Sequence, residues 1–294
     1  MKNILRHYLR DKVYSVGFCL GLKSPFDFDF ANVRWLNTNG YKNGWFADPF
    51  ILDVNDKLIY VLAEEFVYDS SKGRIVKLII RKSDLFLLEV IPILELESHL
   101  SFPIIYRQGK EIFIYPENSE NNRLDIYKFD GSKNNLELVS TLISEPLVDT
   151  QIIQDKESYV AMGVKNTGQG LDSTKLLGIY YSSSLCGQYA LVDQIVNDKR
   201  EERGAGQIFS YNNKLYRPAQ CCEHDYGESL IIYELIKSDQ SYTEKEVCRF
   251  CPEKAKKNGL GLHTFNYVDG LAVVDGIDFK HRILGRLVAK LFDK

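Results

Sequence analysis

The first bounds come from what the 294-residue chain lacks. No apolar run approaches the roughly 20 residues of a membrane-spanning helix. No charge of one sign dominates: the net charge is −3, which leaves no global footprint for nucleic acid. Six cysteines in a chain this long do not make a disulfide framework, so a reducing cytoplasm is the expected compartment. No export signal is expected either. The N-terminus is basic (Met1, Lys2, Arg6, Arg10) and Tyr14 to Leu22 is mildly apolar, but Asp11 and Lys12 interrupt the pattern and the apolar run is short.

What is present suits strands. Hydrophobic residues make up 45% and aromatic residues 12%, with 18 Tyr and 16 Phe, enough for a sizeable core rich in β-formers. The stretch Trp45-Phe46-Ala47-Asp48-Pro49-Phe50-Ile51-Leu52 and the segment Leu58 to Glu65 read as two strands joined by a turn. Variants recur at Ser101 to Glu117, Val148 to Met162, Gly206 to Arg217 and His263 to Val274, with Asn, Asp or Gly at most turns, as tight hairpins require. Placing Asp56–Tyr60 over Gly109–Phe113 puts Asp48 over Ser101, Pro49 over Phe102 and Glu64 over Glu117; Asp149 takes the place of Asp48 in the third copy. Two further strand-like segments follow each of the first four copies. Four strands in about 40–50 residues mark propeller blades. The fifth copy has only two strands of its own, and segments near 13–18 and 33–36 can supply the rest and close the ring. The expected architecture is an all-β, five-bladed propeller of four-stranded blades: a lead-in over 1–12, the propeller over 13–278, and a C-terminal amphipathic helix over 279–294. That tail interleaves Lys280, His281, Arg282, Arg286, Lys290 and Lys294 with Ile283, Leu284, Leu287, Val288, Leu291 and Phe292 at helical spacing. It either packs on the propeller or lies on an anionic membrane surface.

In a propeller the first strand of each blade lines the central channel, so the starts of those strands converge at its mouth. Here they offer Asp48, Ser101 with His99 just before it, Asp149, the Arg203–Gln207 stretch and the Gly261–His263 stretch. Carboxylates with a His, an Arg and a Gln around one mouth suit a sugar, and paired carboxylates are what glycosyl chemistry uses. Asp48 and Asp149 are the catalytic candidates, although an Asp before a strand can also serve as a cap. Glu64 and Glu117 end second strands, and Pro116 can turn Glu117 inward. The segment Arg217-Pro218-Ala219-Gln220 to Tyr226 is dense in polar and aromatic groups, and its Arg217 suits a phosphate or carboxylate. Cys248-Arg249-Phe250-Cys251 has a metal-ligand spacing, but its partners Cys221 and Cys222 are adjacent, which fits tetrahedral ligation poorly. Buried thiols are expected, with no metal and no cofactor.

These residues carry a resemblance. Phe46 to Phe50 followed by a Glu-bearing strand resembles the first blade of the five-bladed superfamily of arabinanases, invertases and levansucrases. The ordered set Phe46 to Phe50, His99 to Pro103, Pro116-Glu117, Val148-Asp149-Thr150, Arg203 to Gly206, Arg217 to Gln220 and Tyr226-Gly227 resembles the N-terminal domain of the glucosamine inositolphosphorylceramide transferase family, over roughly residues 40–270. The resemblance implies a propeller that acts on or binds carbohydrate, with Asp48 as base and Asp149 as an orienting acid. Hydrolases of the superfamily keep an acidic Glu at the fourth-blade first strand. Here that place reads Arg203-Gly204-Ala205-Gly206-Gln207, with Glu201 and Glu202 slightly upstream.

Three functions follow as expectations. The first is a glycosyltransferase of bacterial cell-surface polysaccharide synthesis, cytoplasmic and at the inner face of the membrane. It would take a nucleotide sugar or sugar phosphate as donor and a glycan as acceptor. Asp48 would be the base and Glu117 a further acid; Glu64, His99, Arg203, Gln207, Arg217, Gln220, Tyr226 and His263 would hold substrate. The second is a glycoside hydrolase with Glu117 or Glu223 as acid. The third is a carbohydrate-binding propeller without catalysis.

Overall fold

The computed structural model describes residues 11–168, 176–196, 201–238 and 241–292. Most of the lead-in expected over 1–12 lies outside these residues. The chain opens with β1 (Lys12–Leu20) and β2 (Arg34–Trp35). Blade 1 then comprises β3 (Gly44–Val54), β4 (Leu58–Val67), β5 (Lys72–Arg81) and β6 (Phe86–Leu94); blade 2 comprises β7 (Ser101–Gln108), β8 (Glu111–Glu117), β9 (Leu124–Asp130) and β10 (Asn135–Ile143). Blade 3 is built from β11 (Leu147–Asp155), β12 (Ser158–Lys165), β13 (Leu176–Ser182) and β14 (Ala190–Val196), and blade 4 from β15 (Phe209–Tyr211), β16 (Lys214–Cys221), β17 (Ser229–Ser238) and β18 (Ser241–Phe250). Blade 5 joins β19 (Gly261–Val268) and β20 (Leu271–Phe279) to β1 and β2, in the order β19-β20-β1-β2. The N-terminal segments thus complete the last blade, with β1 antiparallel to β20 from Lys12↔Phe279 to Leu20↔Leu271. The helix α1 (Arg282–Phe292) follows.

Each blade is covered on both faces by its neighbours, so inner strands read as near-continuous apolar runs. Val61, Leu62, Ala63, Ile75, Val76, Leu78 and Ile80 of β4 and β5 are all fully buried. Each of the buried valines, leucines and isoleucines contributes about 1.5–3 kcal/mol by leaving water. Outer strands face solvent on one side, and β14 is mostly exposed along its length.

One local expectation needs correction. The fourth first strand does not start at Gly206: only Phe209–Tyr211 pairs as β15, and upstream the chain touches β16 through a single Gly204↔Ala219 bridge. The cause is close approach. A Cβ at Gly206, whose φ is +139°, would lie 2.0 Å from the Phe265 carbonyl oxygen, and one at Gly204 would lie 2.3 Å from that of Asp149. Asp278 lies in β20, which runs to Phe279, and its buried carboxylate accepts from the Asn258 N–H at 2.9 Å.

Candidate active site

The first strands of blades 1, 2, 3 and 5 break register at the mouth, between Ala47 and Phe50, Ser101 and Ile104, Val148 and Gln151, and Leu262 and Phe265. Such bulges re-aim side chains. Asp48, Phe102 and Asp149 sit at corresponding bulge positions, with φ of 47°, 48° and 48°. A non-glycine residue there costs on the order of 1–3 kcal/mol. The counterpart of Asp48 in blade 2 is therefore Phe102, not Ser101. A second bulge between Ile51 and Asp53 gives blade 1 an extra residue, so an alignment anchored on the turns slips by one. Glu64 pairs with Ala47 and Glu117 with Ser101, so those two glutamates do correspond. Pro116 sits opposite the blade 2 bulge, where no ladder bond is lost.

Asp48 is buried. Its Oδ2 accepts from the Phe102 N–H at 3.1 Å and its Oδ1 from the Thr264 hydroxyl at 2.7 Å, and the His263 Nε2 stands 3.8 Å away. Asp275 anchors both partners. It has no exposed surface, accepts from the Asp48 N–H at 2.9 Å, and meets the His263 Nδ1 at 2.7 Å. It also accepts from the backbone N–H groups of His263 at 3.3 Å and Thr264 at 2.9 Å. Tyr14 stacks on the His263 ring at 4.8 Å, and Tyr226 meets it edge-on at 5.5 Å. Burial raises Asp48 to about 6, against the lowering charge of His263. Burial works to lower His263, but the Asp275 and Asp48 charges outweigh it and raise it to about 9.

A second group lies across blades 2 to 4. Arg203 Nε donates to Asp149 Oδ2 at 2.5 Å, and its guanidinium lies 4.9 Å from the centre of the Tyr226 ring. Gln220 Nε2 donates to the same Asp149 oxygen at 3.1 Å and to the Gly204 carbonyl at 2.8 Å. Glu117 accepts from the Asp149 N–H at 3.1 Å and the Ser119 hydroxyl at 2.9 Å. Burial and the Asp149 charge lift Glu117 to about 8. Glu64, buried, faces the His99 Nε2 at 3.3 Å; His99 is oriented by the Gly73 N–H donating to its Nδ1 at 2.9 Å. The Glu64 Oε1 is the oxygen that faces His99. Burial, with the charges of Asp48, Glu117, Asp275 and Asp149, pushes Glu64 well above the usual carboxylate range.

The structure thus gathers Asp48, Glu64, His99, Glu117, Asp149, Arg203, Gln220, Tyr226 and His263 into two linked groups. Gln207 is placed differently: its backbone N–H donates to the Asn266 side chain at 2.8 Å, which ties blade 4 to blade 5. Arg217 is a correction. It is fully buried inside blade 4, paired with Glu244 and Glu202, and cannot meet a donor at the mouth. Glu201 is likewise spent inside the blade, on Tyr233 at 2.8 Å and Arg249 at 2.9 Å. Glu223 is exposed on the blade 4 loop. Asp275, Thr264 and Tyr14 were not among the sequence candidates. The available signal was an acid, Asp275, set between Val274 and Ile277 in an otherwise apolar strand interior.

Asp48, His263 and Asp275 hold potential ligand atoms within 4.8 Å of one another. The Asp48 oxygens already accept from Phe102 and Thr264, and the His263 Nδ1 is bonded to Asp275, so a cation would have to displace bonds that fix the site. The six cysteines are free thiols.

The titrations carry a testable sign. Glu117 and His263 both bind a proton more tightly folded than unfolded, so stability present at low pH is lost as pH rises through the shifted values. The windows run from 4.5 to about 8 for Glu117 and from 6.5 to about 9 for His263. The melting temperature is expected to fall as pH is raised from about 6 to about 9, and Glu117→Gln to flatten the lower part of that fall. A melting temperature that climbs over this range in differential scanning fluorimetry would contradict the assignment.

Residues 31–269 match the family model described as "Glucosamine inositolphosphorylceramide transferase 1, N-terminal". The chain is 31% identical over 207 residues to glucosamine inositolphosphorylceramide transferase 1 of Arabidopsis thaliana, covering 63% of this chain and 27% of that protein. It is 26% identical over 248 residues to the protein of the same name from Oryza sativa subsp. japonica, covering 81% and 32%. It therefore spans about a third or less of these relatives. Among solved structures, an exo-β-1,3-galactanase from Phanerochaete chrysosporium with galactose superposes with a TM-score of 0.56 at 12% identity, covering 76% of this chain and 58% of that one. A thermostable family-43 glycoside hydrolase gives 0.52 at 14% identity, covering 72% and 80%. At these identities the structures share the fold.

Proposed function

Because the chain belongs to the glucosamine inositolphosphorylceramide transferase 1 N-terminal family, we propose that its channel mouth is a carbohydrate-active site that transfers a glycosyl unit from an anionic donor to a glycan acceptor. The observation that carries this reading is Asp48: a buried carboxylate, aimed by a bulge and fixed through Phe102, Thr264 and the Asp275–His263 pair. With its affinity for protons raised to about 6, it suits a general base near neutral pH.

In the proposed step an acceptor hydroxyl gives its proton to Asp48, and the hydroxyl oxygen bonds to the donor's anomeric carbon. The bond from that carbon to the phosphate oxygen breaks, and its electron pair leaves with the phosphate. A phosphate leaving group needs positive charge more than a proton, and Arg203 lies in the stretch where the resemblance to the superfamily's hydrolases implies an acid. We place the reaction in cell-surface polysaccharide synthesis on the cytoplasmic side, a compartment that six free thiols favour.

Hydrolysis is a second reading, favoured by Glu64 and Glu117, both held towards their protonated forms and so able to serve as acids. The test is incubation of the purified chain with nucleotide sugars, sugar phosphates and neutral glycosides, each with and without oligosaccharide acceptors, followed by mass spectrometry. Acceptor extended by one sugar from a phosphate donor is the expected product. Free sugar from a neutral glycoside would establish hydrolysis instead. Saturation-transfer NMR signals from sugar without any product would leave a binding propeller.

A further inference from the structure

The tail was expected to pair a cationic face with an apolar one, and its packing distributes these in an unexpected way. Of the described cations of α1, Arg286 turns inward and Arg282, with its side chain 45% exposed, bends back to the same partners. Arg282 and Arg286 meet the Asp278 carboxylate at 3.2 and 3.1 Å, and both donate to backbone carbonyls of the loop at 254–256. The apolar residues turn outward: Ile283 is 76% exposed, and Leu284 and Leu287 are each 53% exposed. Beside them the loop presents Lys254, Lys256 and Lys257, all exposed. A groove of about 1050 Å³ runs between the helix and the propeller, lined in part by Lys254, Leu260, Arg282, Ile283 and Leu287.

This surface lies on the same face as the channel mouth. Ile277, two residues before the end of β20, pairs with Gly261 at the mouth end of β19, and α1 begins five residues later. Asp225, next to Tyr226 of the site, borders the groove and binds Lys12 at 2.6 Å.

We propose that the exposed stripe Ile283, Leu284 and Leu287, with the lysines of the adjoining loop, binds an anionic lipid bilayer and so turns the mouth towards the membrane surface. A bilayer supplies both kinds of partner at one depth, with acyl chains for the aliphatic stripe and headgroup phosphates for the lysines. No described helix is long and apolar enough to cross a membrane, so the contact is interfacial. The inference does not depend on which reaction the mouth performs.

The experiment is flotation of the full chain with phosphatidylcholine vesicles, with and without phosphatidylglycerol. The wild type is expected to float with the anionic vesicles and much less with the neutral ones. The triple variant Ile283→Glu, Leu284→Glu, Leu287→Glu should lose roughly tenfold or more of that binding. The pair Lys254→Glu, Lys257→Glu should erase the preference for phosphatidylglycerol. Should the triple variant fail to keep the wild-type circular dichroism and melting temperature, Ile283→Glu alone serves, with a smaller loss in the same direction. The proposal is overturned if the wild type stays with the unbound fraction, or if neither the triple variant nor Ile283→Glu changes flotation. It is overturned equally if the glutamates act only on self-association, measured by sedimentation without lipid.

Discussion

Asp48→Asn is expected to lower turnover about 10²–10⁴-fold, the usual range for loss of a positioned general base, while the fold stays intact. The variant is structurally mild for three reasons. Asparagine tolerates the left-handed backbone that Asp48 adopts at φ 47°. Its side-chain oxygen can still accept from either the Phe102 N–H or the Thr264 hydroxyl, the two donors that hold the carboxylate. It also removes a buried charge whose ionisation the fold opposes, so stability near neutral pH should hold or rise slightly. Chemistry is what it cannot replace, because an amide does not take up a proton at this pH. The measurement is the turnover rate on whichever donor the product assay identifies, alongside the melting temperature. A variant that folds, binds sugar and turns over at the wild-type rate would remove Asp48 from the reaction, leaving Glu64, the buried acid that faces His99, as the next candidate.

Legibility divided along the range of the forces involved. The ring of blades was readable because hairpin turns are local chemistry: Asn55 accepts from the N–H groups of Lys57 and Leu58, and Asn212, Asn213 and Asp269 take left-handed angles at the tips. Closure by the N-terminal strands was readable from a deficit of two strands in the last unit. The catalytic register was readable only to within one residue. The bulge at Leu52 depends on how blade 1 packs, and no local signal marks it. Asp275 was missed because its role lies entirely in partners it meets through folding. Its own neighbours are the apolar residues of a buried strand. Arg217 was misread for a related reason. An arginine in a polar-aromatic segment looks like an anion-binding group, and only the position of Glu244, on the next strand but one, reveals that its charge is already used.

That use of charge predicts the largest loss of stability. Arg217 has no exposed surface; its Nε is bound to Glu244, Nη2 reaches Glu244 at 3.1 Å and Glu202 at 3.3 Å, and Nη1 donates to the Glu202 carbonyl at 3.1 Å. Arg217→Met keeps most of the volume but strands two carboxylates in the blade interior. Removing one partner from such a buried network typically costs about 3–5 kcal/mol, a large part of the roughly 5–15 kcal/mol that holds a domain folded. The loss arises from carboxylates left without a counter-charge rather than from the arginine's own contacts. The triple variant Arg217→Met, Glu202→Gln, Glu244→Gln should therefore recover much of it, since the amides are neutral and the methionine is apolar. Urea unfolding monitored by tryptophan fluorescence measures both variants. A wild-type midpoint for Arg217→Met would show that the network does not support the blade, and the arginine would return as a candidate for binding a ligand. A deep loss that the triple variant restores would fix Arg217 as the internal counter-ion of blade 4, leaving Arg203 as the cation that the mouth offers a donor.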